Sequence, residues 1–118
     1  MQRIVYLESD SVIAAVRRPA VAHDWVEYPM TAPEQVVERL QGASIAIVNK
    51  VPLPAAAVDA LPDLKMVAVA ATGTNMVDLD ACRKRGIVIS NIRGYADHTV
   101  PEHAMALLLA LSRNLIAW

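Results

Sequence analysis

Short apolar runs alternate with amphipathic segments along the whole chain of 118 residues. Four of these runs, at 4–7, 44–48, 66–71 and 87–89, contain almost no polar residue and show no strict alternation. Such runs are typical of strands that are covered on both faces, as in a parallel sheet between helices. The order of the elements predicts an α/β fold, a doubly wound sheet with right-handed crossovers. The sheet has about five strands if the weaker run at 25–28 joins it.

Helix start and stop signals fall between these runs. Asp10 is expected to begin a helix that ends before Pro19, because proline cannot continue a helix. Thr31 and Glu34 have the spacing of a capping box, in which each residue satisfies a backbone N–H of the other. Pro54 is expected to open a short helix, since its fixed φ suits the first turn.

Two more helices are predicted in the second half of the chain. Asp78 is expected to cap the first of them, and Gly86 to end it. Thr99 and Glu102 have the spacing of a second capping box, which opens a long helix. Because no glycine or proline follows, this helix is expected to run to Trp118, and the chain is expected to be part of a longer protein.

Composition and charge exclude several classes of partner. Eleven lysine and arginine residues against 12 aspartate and glutamate residues give a formal net charge of −1, which argues against nucleic-acid binding. The longest apolar run, at 104–111, is far shorter than the roughly 20 residues that a membrane span needs. The single cysteine, Cys82, cannot form an internal disulfide, so we expect a reducing compartment and a cytoplasmic protein.

Three loops, at 49–54, 72–75 and 91–98, are expected to leave strands at the carboxyl edge of the sheet, where ligands bind in open α/β folds. The 72–75 loop consists of Thr72, Gly73, Thr74 and Asn75. Its backbone N–H groups lie beside a predicted helix start and could bind a carboxylate or phosphate, and Lys50 could add a positive charge. The alternative is an ordinary strand-to-helix turn in which Gly73 takes a positive φ.

The remaining polar residues lack a catalytic arrangement. The histidines at 23, 98 and 103 do not have metal-ligand spacing, so no metal site is predicted. Glu102 is assigned to the capping box, and the polar end of the His103 side chain is expected to lie beside the core. None of the four glycines belongs to a GxGxxG motif, so no dinucleotide pyrophosphate loop is predicted.

Three motifs in the second half of the chain nevertheless occur in a specific order. They are ATGTNMVD at 71–78, GIVISNI at 86–92, and NIRGYA at 91–96 followed by TVPEH at 99–103. In this combination the chain resembles the D-isomer-specific 2-hydroxyacid dehydrogenases. Most members have alanine where Pro101 stands, and the form seen here is similar to the glycerate dehydrogenase (hydroxypyruvate reductase) branch.

The resemblance implies a flavodoxin-like substrate domain at 1–98, with 99–118 beginning a long interdomain helix. It also implies that the NAD-binding Rossmann domain and the catalytic arginine, glutamate and histidine lie outside this chain, so that no residue here is catalytic. Thr99 would border the nicotinamide cofactor. The substrate-binding residues that it implies are Asn49, Lys50, Thr72, Gly73, Thr74 and Asn75.

The same resemblance implies an oxidoreductase that uses NAD or NADP and a small 2-keto or 2-hydroxy acid. The chain alone is expected to be inactive and to bind no cofactor. The alternative is a stand-alone flavodoxin-like ligand-binding or regulatory module without catalysis. An apolar surface on the last helix further predicts a homodimer.

Overall fold

A parallel sheet of five strands, in the order β2-β1-β3-β4-β5, forms the centre of the molecule. The structure is a computed structural model that describes residues 1–117. The strands are β1 (Gln2–Tyr6), β2 (His23–Glu27), β3 (Ile45–Val48), β4 (Met66–Val69) and β5 (Val88–Ser90). The predicted α/β fold with five parallel strands is confirmed, and the weak run near 25–28 is an edge strand.

The strand order reverses once, and this determines which face each connection covers. The chain moves outward from β1 to β2, then crosses back to β3 and continues in one direction to β5. Right-handed crossovers therefore place the connection from β1 to β2 on one face of the sheet and the three later connections on the other. The later connections contain α1 (Val36–Leu40), α2 (Ala55–Asp59) and α3 (Leu79–Lys84).

The hydrophobic core lies between these three helices and the sheet. Alternate sheet residues such as Ala46, Val48 and Val67 are fully buried there, together with Leu40 and Val58 from the helices. On the opposite face of the sheet, the residues of the central strands β3 and β4 are only half-buried. An apolar cavity of about 310 Å³ remains on that face, between the 12–16 segment and the ends of the central strands.

The prediction of a helix that starts at Asp10 is wrong. Only a single 3-10 turn forms, at Ser9–Ser11, and the following stretch to residue 22 is irregular. The backbone N–H groups of Ser9 and Asp10 donate instead to the carbonyls of Tyr28 and Pro29, at 2.9 and 3.1 Å. These long-range bonds attach the segment to the end of β2, and the β-branched valine and isoleucine residues that follow favour a helix only weakly.

Both capping boxes predicted from residue spacing are also wrong. The Thr31 hydroxyl donates to the carbonyl of Leu7 at 2.6 Å, and the reciprocal bond starts one residue later, from Ala32 N–H to the Gln35 side chain at 3.0 Å. The chain therefore enters α1 through a 3-10 turn, Pro33–Gln35. At the start of the last helix, no side chain caps the backbone.

The expectations for α2 and α3 are confirmed. Helix α2 begins directly after Pro54. The Asp78 side chain accepts a hydrogen bond from Ala81 N–H at 2.9 Å and caps α3. Gly86 follows with φ of +68°, the left-handed conformation that a glycine adopts at low cost.

The last helix, α4 (Thr99–Ser112), has no buried residue and projects from the sheet, in a molecule that measures 59 × 29 × 25 Å. It ends earlier than predicted, because Asn114 takes φ of +54° and a 3-10 turn, Leu115–Ala117, follows. Asparagine tolerates this left-handed conformation and is a stop signal that the prediction missed. The predicted end of the helix, Trp118, lies outside the described residues. None of the helices between residues 1 and 117 combines the length and apolar character that a membrane crossing requires.

Candidate functional site

Two loops lie side by side at the carboxyl edge of the sheet, after the neighbouring strands β3 and β4. They are the 72–75 loop and the 49–51 loop, Asn49-Lys50-Val51. Beyond them the two chain segments pair again, where Leu53 N–H donates to Met76 and Asp78 N–H donates to Leu53, at 2.8 and 3.0 Å. Because backbone pairing holds both loops before and after, their positions at the edge are well defined.

The 72–75 loop presents backbone donors without internal acceptors. Thr72, Gly73 and Asn75 are exposed and Thr74 is half-buried. Within residues 1–117, the N–H groups of these four residues donate no hydrogen bond to a protein acceptor. Adjacent N–H groups at a sheet edge that lack an internal acceptor can bind an anion.

Gly73 does not take a positive φ, so this part of the alternative interpretation, an ordinary strand-to-helix turn, is wrong. Glycine instead provides space here. A Cβ atom at this position would lie 3.2 Å from the Asn75 side-chain oxygen, which is tighter than ordinary van der Waals contact. The absence of a side chain leaves the backbone of the loop open to close approach.

Asn91, directly after β5, orients the 72–75 loop. Its side-chain amide donates to the carbonyl of Thr72 at 2.7 Å, and the neighbouring Ile92 N–H donates to the carbonyl of Ala71 at 3.1 Å. No peptide bond in the described chain is cis, and in a planar trans peptide the N–H points opposite to the C=O. Fixing the Thr72 carbonyl therefore also fixes the direction of the Gly73 N–H. Asn91 was not predicted to have a role, although its place directly after an apolar run was the available signal.

The carboxylate of Glu8, which was not predicted to have a role, holds the 49–51 loop in place. Glu8 Oε2 accepts hydrogen bonds from the backbone N–H groups of Asn49, Lys50 and Val51, at 2.7, 2.9 and 3.1 Å. Asn49 is buried, and its side-chain amide lies 3.5 Å from the carbonyl of Ser11. Lys50 is exposed at the same edge as the 72–75 loop.

The structure brings the six predicted substrate-binding residues to one edge, whereas the remaining candidates lie on α4. Thr99, the predicted cofactor contact, is the first residue of α4 and is exposed. His103 is exposed on the same helix, so its predicted place beside the core is wrong, since α4 does not pack on the sheet. Glu102 is exposed and does not complete a capping box.

Two buried titratable groups contribute no reactive side chain to the edge. Burial raises the pKa of the Cys82 thiol, helped by the nearby Asp78 carboxylate, so the reactive thiolate is disfavoured. Burial likewise raises the pKa of the Tyr6 phenol. In the part of the chain that the structure describes, histidine, cysteine, aspartate and glutamate side chains do not gather in threes as a metal site would require.

Comparison with known proteins identifies the family. The family model for the catalytic domain of D-isomer specific 2-hydroxyacid dehydrogenases matches residues 6–114. The chain belongs to this family. The resemblance seen in the three sequence motifs is thus confirmed for nearly the whole chain.

Among relatives of this dehydrogenase chain, a glycerate dehydrogenase from Methylorubrum extorquens is 48% identical over 118 residues. The match covers 99% of the present chain but 38% of that protein, so the chain spans well under half of its relative's length.

Two solved structures show the same fold. An acyclic imino acid reductase in complex with NADPH and D-Arg has a TM-score of 0.76 at 21% identity, covering 98% of this chain and 39% of that one. An NAD-dependent formate dehydrogenase from Staphylococcus aureus, in complex with NAD, has a TM-score of 0.70 at 21% identity and covers 98% and 40%.

Replacement Asn91→Asp in this dehydrogenase chain tests how the 72–75 loop is oriented. A carboxylate cannot donate to the Thr72 carbonyl and repels it, so the Gly73 N–H should change direction. We expect the Gly73 amide resonance to move and the Ile92 amide to exchange severalfold faster, measured by ¹H–¹⁵N spectroscopy. Asn75→Asp adds the same negative charge within the 72–75 loop itself and serves as the control. Equal responses to both changes would contradict the assigned role of Asn91.

Proposed function

We propose that this chain forms the carboxylate-binding side of the substrate cleft in an NAD(P)-dependent D-2-hydroxyacid dehydrogenase. The observation that carries the proposal is the group of N–H donors on the 72–75 loop, which have no acceptor within the described chain. In this proposal Gly73 lets the substrate approach closely, Asn91 aims the Gly73 N–H, and Lys50 contributes positive charge from the neighbouring loop. Asn49 and Asn75 border the same site.

The proposed substrate is glycerate, or hydroxypyruvate in the reverse direction. The 48% identity to a glycerate dehydrogenase supports this choice within the family. Both acids carry a carboxylate next to the reacting carbon. Binding that carboxylate through backbone donors would hold C2 at a constant distance from the sheet edge. The chain's own contribution is therefore binding and orientation, with no catalytic residue.

The cofactor of the whole protein is proposed to be NAD or NADP. The present residues do not fit the dinucleotide itself, because the four glycines do not form a GxGxxG loop before a helix. We therefore assign residues 1–98 to the substrate domain and 99–118 to the start of an interdomain helix, with the Rossmann domain outside this chain. Thr99, at the start of α4, is proposed to border the nicotinamide. A cytoplasmic location completes the proposal.

The first test is a titration of the ¹⁵N-labelled chain with hydroxypyruvate and with D-glycerate at millimolar concentration. We expect chemical-shift changes at Thr72, Gly73 and Thr74, because the donors of this loop would bind the carboxylate. Hydroxyacetone, which lacks the carboxylate, is the ligand control and should leave the loop unchanged. Shifts confined to other surfaces would contradict the proposal.

The variant Gly73→Ala sharpens this test. Its Cβ would crowd the Asn75 side chain and the approach to the loop, so affinity should fall by about tenfold or more, the equivalent of one lost hydrogen bond to a charged group. The melting temperature should change little, because the site is exposed and the crowded atom ends a mobile side chain. Lys50→Met should weaken binding without moving the loop resonances of the free protein.

A second prediction concerns the cofactor. The chain alone should neither bind NADH tightly nor reduce hydroxypyruvate, because it lacks a pyrophosphate loop. Fluorescence titration with NADH and a rate assay measure both properties, with a full-length glycerate dehydrogenase as the positive control. Micromolar NADH binding by this chain would contradict the domain assignment. A stand-alone ligand-binding module, the alternative function, would bind a ligand other than the two acids in the first test.

A third prediction is a homodimer formed through α4. Leu108 is 59% exposed on this helix, and Leu107, Leu109 and Leu111 are exposed beside it. An apolar helix exposed on every side favours association, and a two-fold pair of helices is the simplest arrangement.

Sedimentation equilibrium at tens of micromolar should therefore give a dimer, and Leu108→Glu should make it dissociate. Ile13→Glu is the matched control, because Ile13 is fully exposed but lies outside the helix. This control variant should remain dimeric. A monomer that keeps its full helicity in circular dichroism would contradict the prediction.

A further inference from the structure

Glu8 occupies a second set of backbone donors at the same sheet edge. Three successive N–H groups, those of the 49–51 loop, converge on one carboxylate oxygen of Glu8. Successive N–H groups that point into one concavity form an anion-binding nest. The anion in this nest is a side chain of the protein itself, 41 to 43 residues distant in sequence.

We propose that the 49–51 loop is a carboxylate site whose resident is Glu8, and that Glu8 thereby directs a substrate carboxylate to the 72–75 loop. The directing role of Glu8 rests on the proposed function. The assignment of the nest concerns only the 49–51 loop and Glu8.

The position of Glu8 follows from the sheet. Strand β1 pairs with β3, with Tyr6 in register with Ile47, so residues that follow the two strands lie next to each other. The Glu8 backbone is fixed from the other side, because its carbonyl accepts from Ser11 N–H at 3.0 Å and from the Ser11 hydroxyl at 2.6 Å. The carboxylate is therefore held at the nest by its own backbone.

The existing hydrogen bonds also make the two loops unequal as sites for an incoming carboxylate. The N–H groups of the 49–51 loop already donate to a charged acceptor, and such hydrogen bonds are roughly twice as strong as neutral ones. An incoming carboxylate would have to displace Glu8 to use them. The donors of the 72–75 loop face no such competition within the described residues. Glu8 thus favours one binding position over another one strand away.

Access from solvent makes the nest testable. A cavity of about 260 Å³ opens beside Glu8 and Lys50. It is also lined by Asp10, Ser11, Pro29, Met30 and Thr31. Removing the end of the Glu8 side chain would connect this cavity with the nest. The change Glu8→Ala deletes the equivalent of an acetate ion, so free acetate matches the vacated space in size and charge.

The experiment compares Glu8→Ala with Glu8→Gln and with Glu38→Ala, which removes an exposed glutamate from α1. In Glu8→Ala, amide exchange at residues 49–51 should accelerate about tenfold, and millimolar acetate should reverse the change. Acetamide, which is neutral, should not reverse it. Glu8→Gln keeps the side-chain volume and so should fold, show a smaller acceleration, and not respond to acetate. Glu38→Ala should behave as the unchanged protein.

Two results would overturn the assignment of the nest. One is unchanged exchange at 49–51 in both Glu8 variants. The other is an acetate response at 49–51 in the unchanged protein that equals the response in Glu8→Ala.

Hydroxypyruvate tests the directing role separately. It should slow amide exchange only at the 72–75 loop in the unchanged protein, and at both loops in Glu8→Ala. Slower exchange at 49–51 in the unchanged protein would overturn the directing role. Absence of shifts at 72–75 in every variant would overturn the proposed function, while the acetate response would still decide the nest.

Discussion

The parallel pairing of β3 with β4 is the constraint on which the candidate site depends. These strands pair in register from Ile45 with Met66 to Val48 with Val69, so both end at the same level. Two loops therefore leave the sheet side by side, and the later pairing at Leu53 closes the frame around them. Without this double attachment, exposed loops of three or four residues would sample many conformations, and their N–H groups would not keep fixed positions.

The strands were predictable because neighbouring strands, and helices on one face of the sheet, exclude water from them, which leaves short runs of apolar residues. The helices were predictable only where the deciding bonds are local, as for the Asp78 cap. Thr31 shows the limit of spacing rules, since its hydroxyl donates to Leu7, 24 residues away, and accepts from Arg39 instead of from the residue three positions later. The irregular stretch after Ser11 has a different origin, because its β-branched residues favour a helix only weakly.

The residues of the candidate site differ in the same way in how far the sequence alone predicts them. The 72–75 loop could be predicted as a candidate from its residues and its place after a strand, and within residues 1–117 its backbone donors have no protein acceptor. Glu8 and Asn91 could not, because each acts on a loop that is distant in sequence and near only after the sheet has formed. A single sequence carries their chemistry but not their proximity. Both are ordinary polar residues after strands, and only the register shows what they contact.

The two loops at the edge differ less in composition than in what already occupies their N–H groups. Each backbone donor must find an acceptor, and a donor that the fold has satisfied contributes little to binding a ligand, because the ligand must first replace the internal partner. On the 49–51 loop the fold supplies a full negative charge, from Glu8. On the 72–75 loop, the Asn91 side chain donates to a carbonyl, and the N–H groups of the loop remain open to solvent. Under the proposed function, side chains that bind backbone in these two opposite senses would determine which of two neighbouring loops receives a carboxylate, although neither side chain has to touch it.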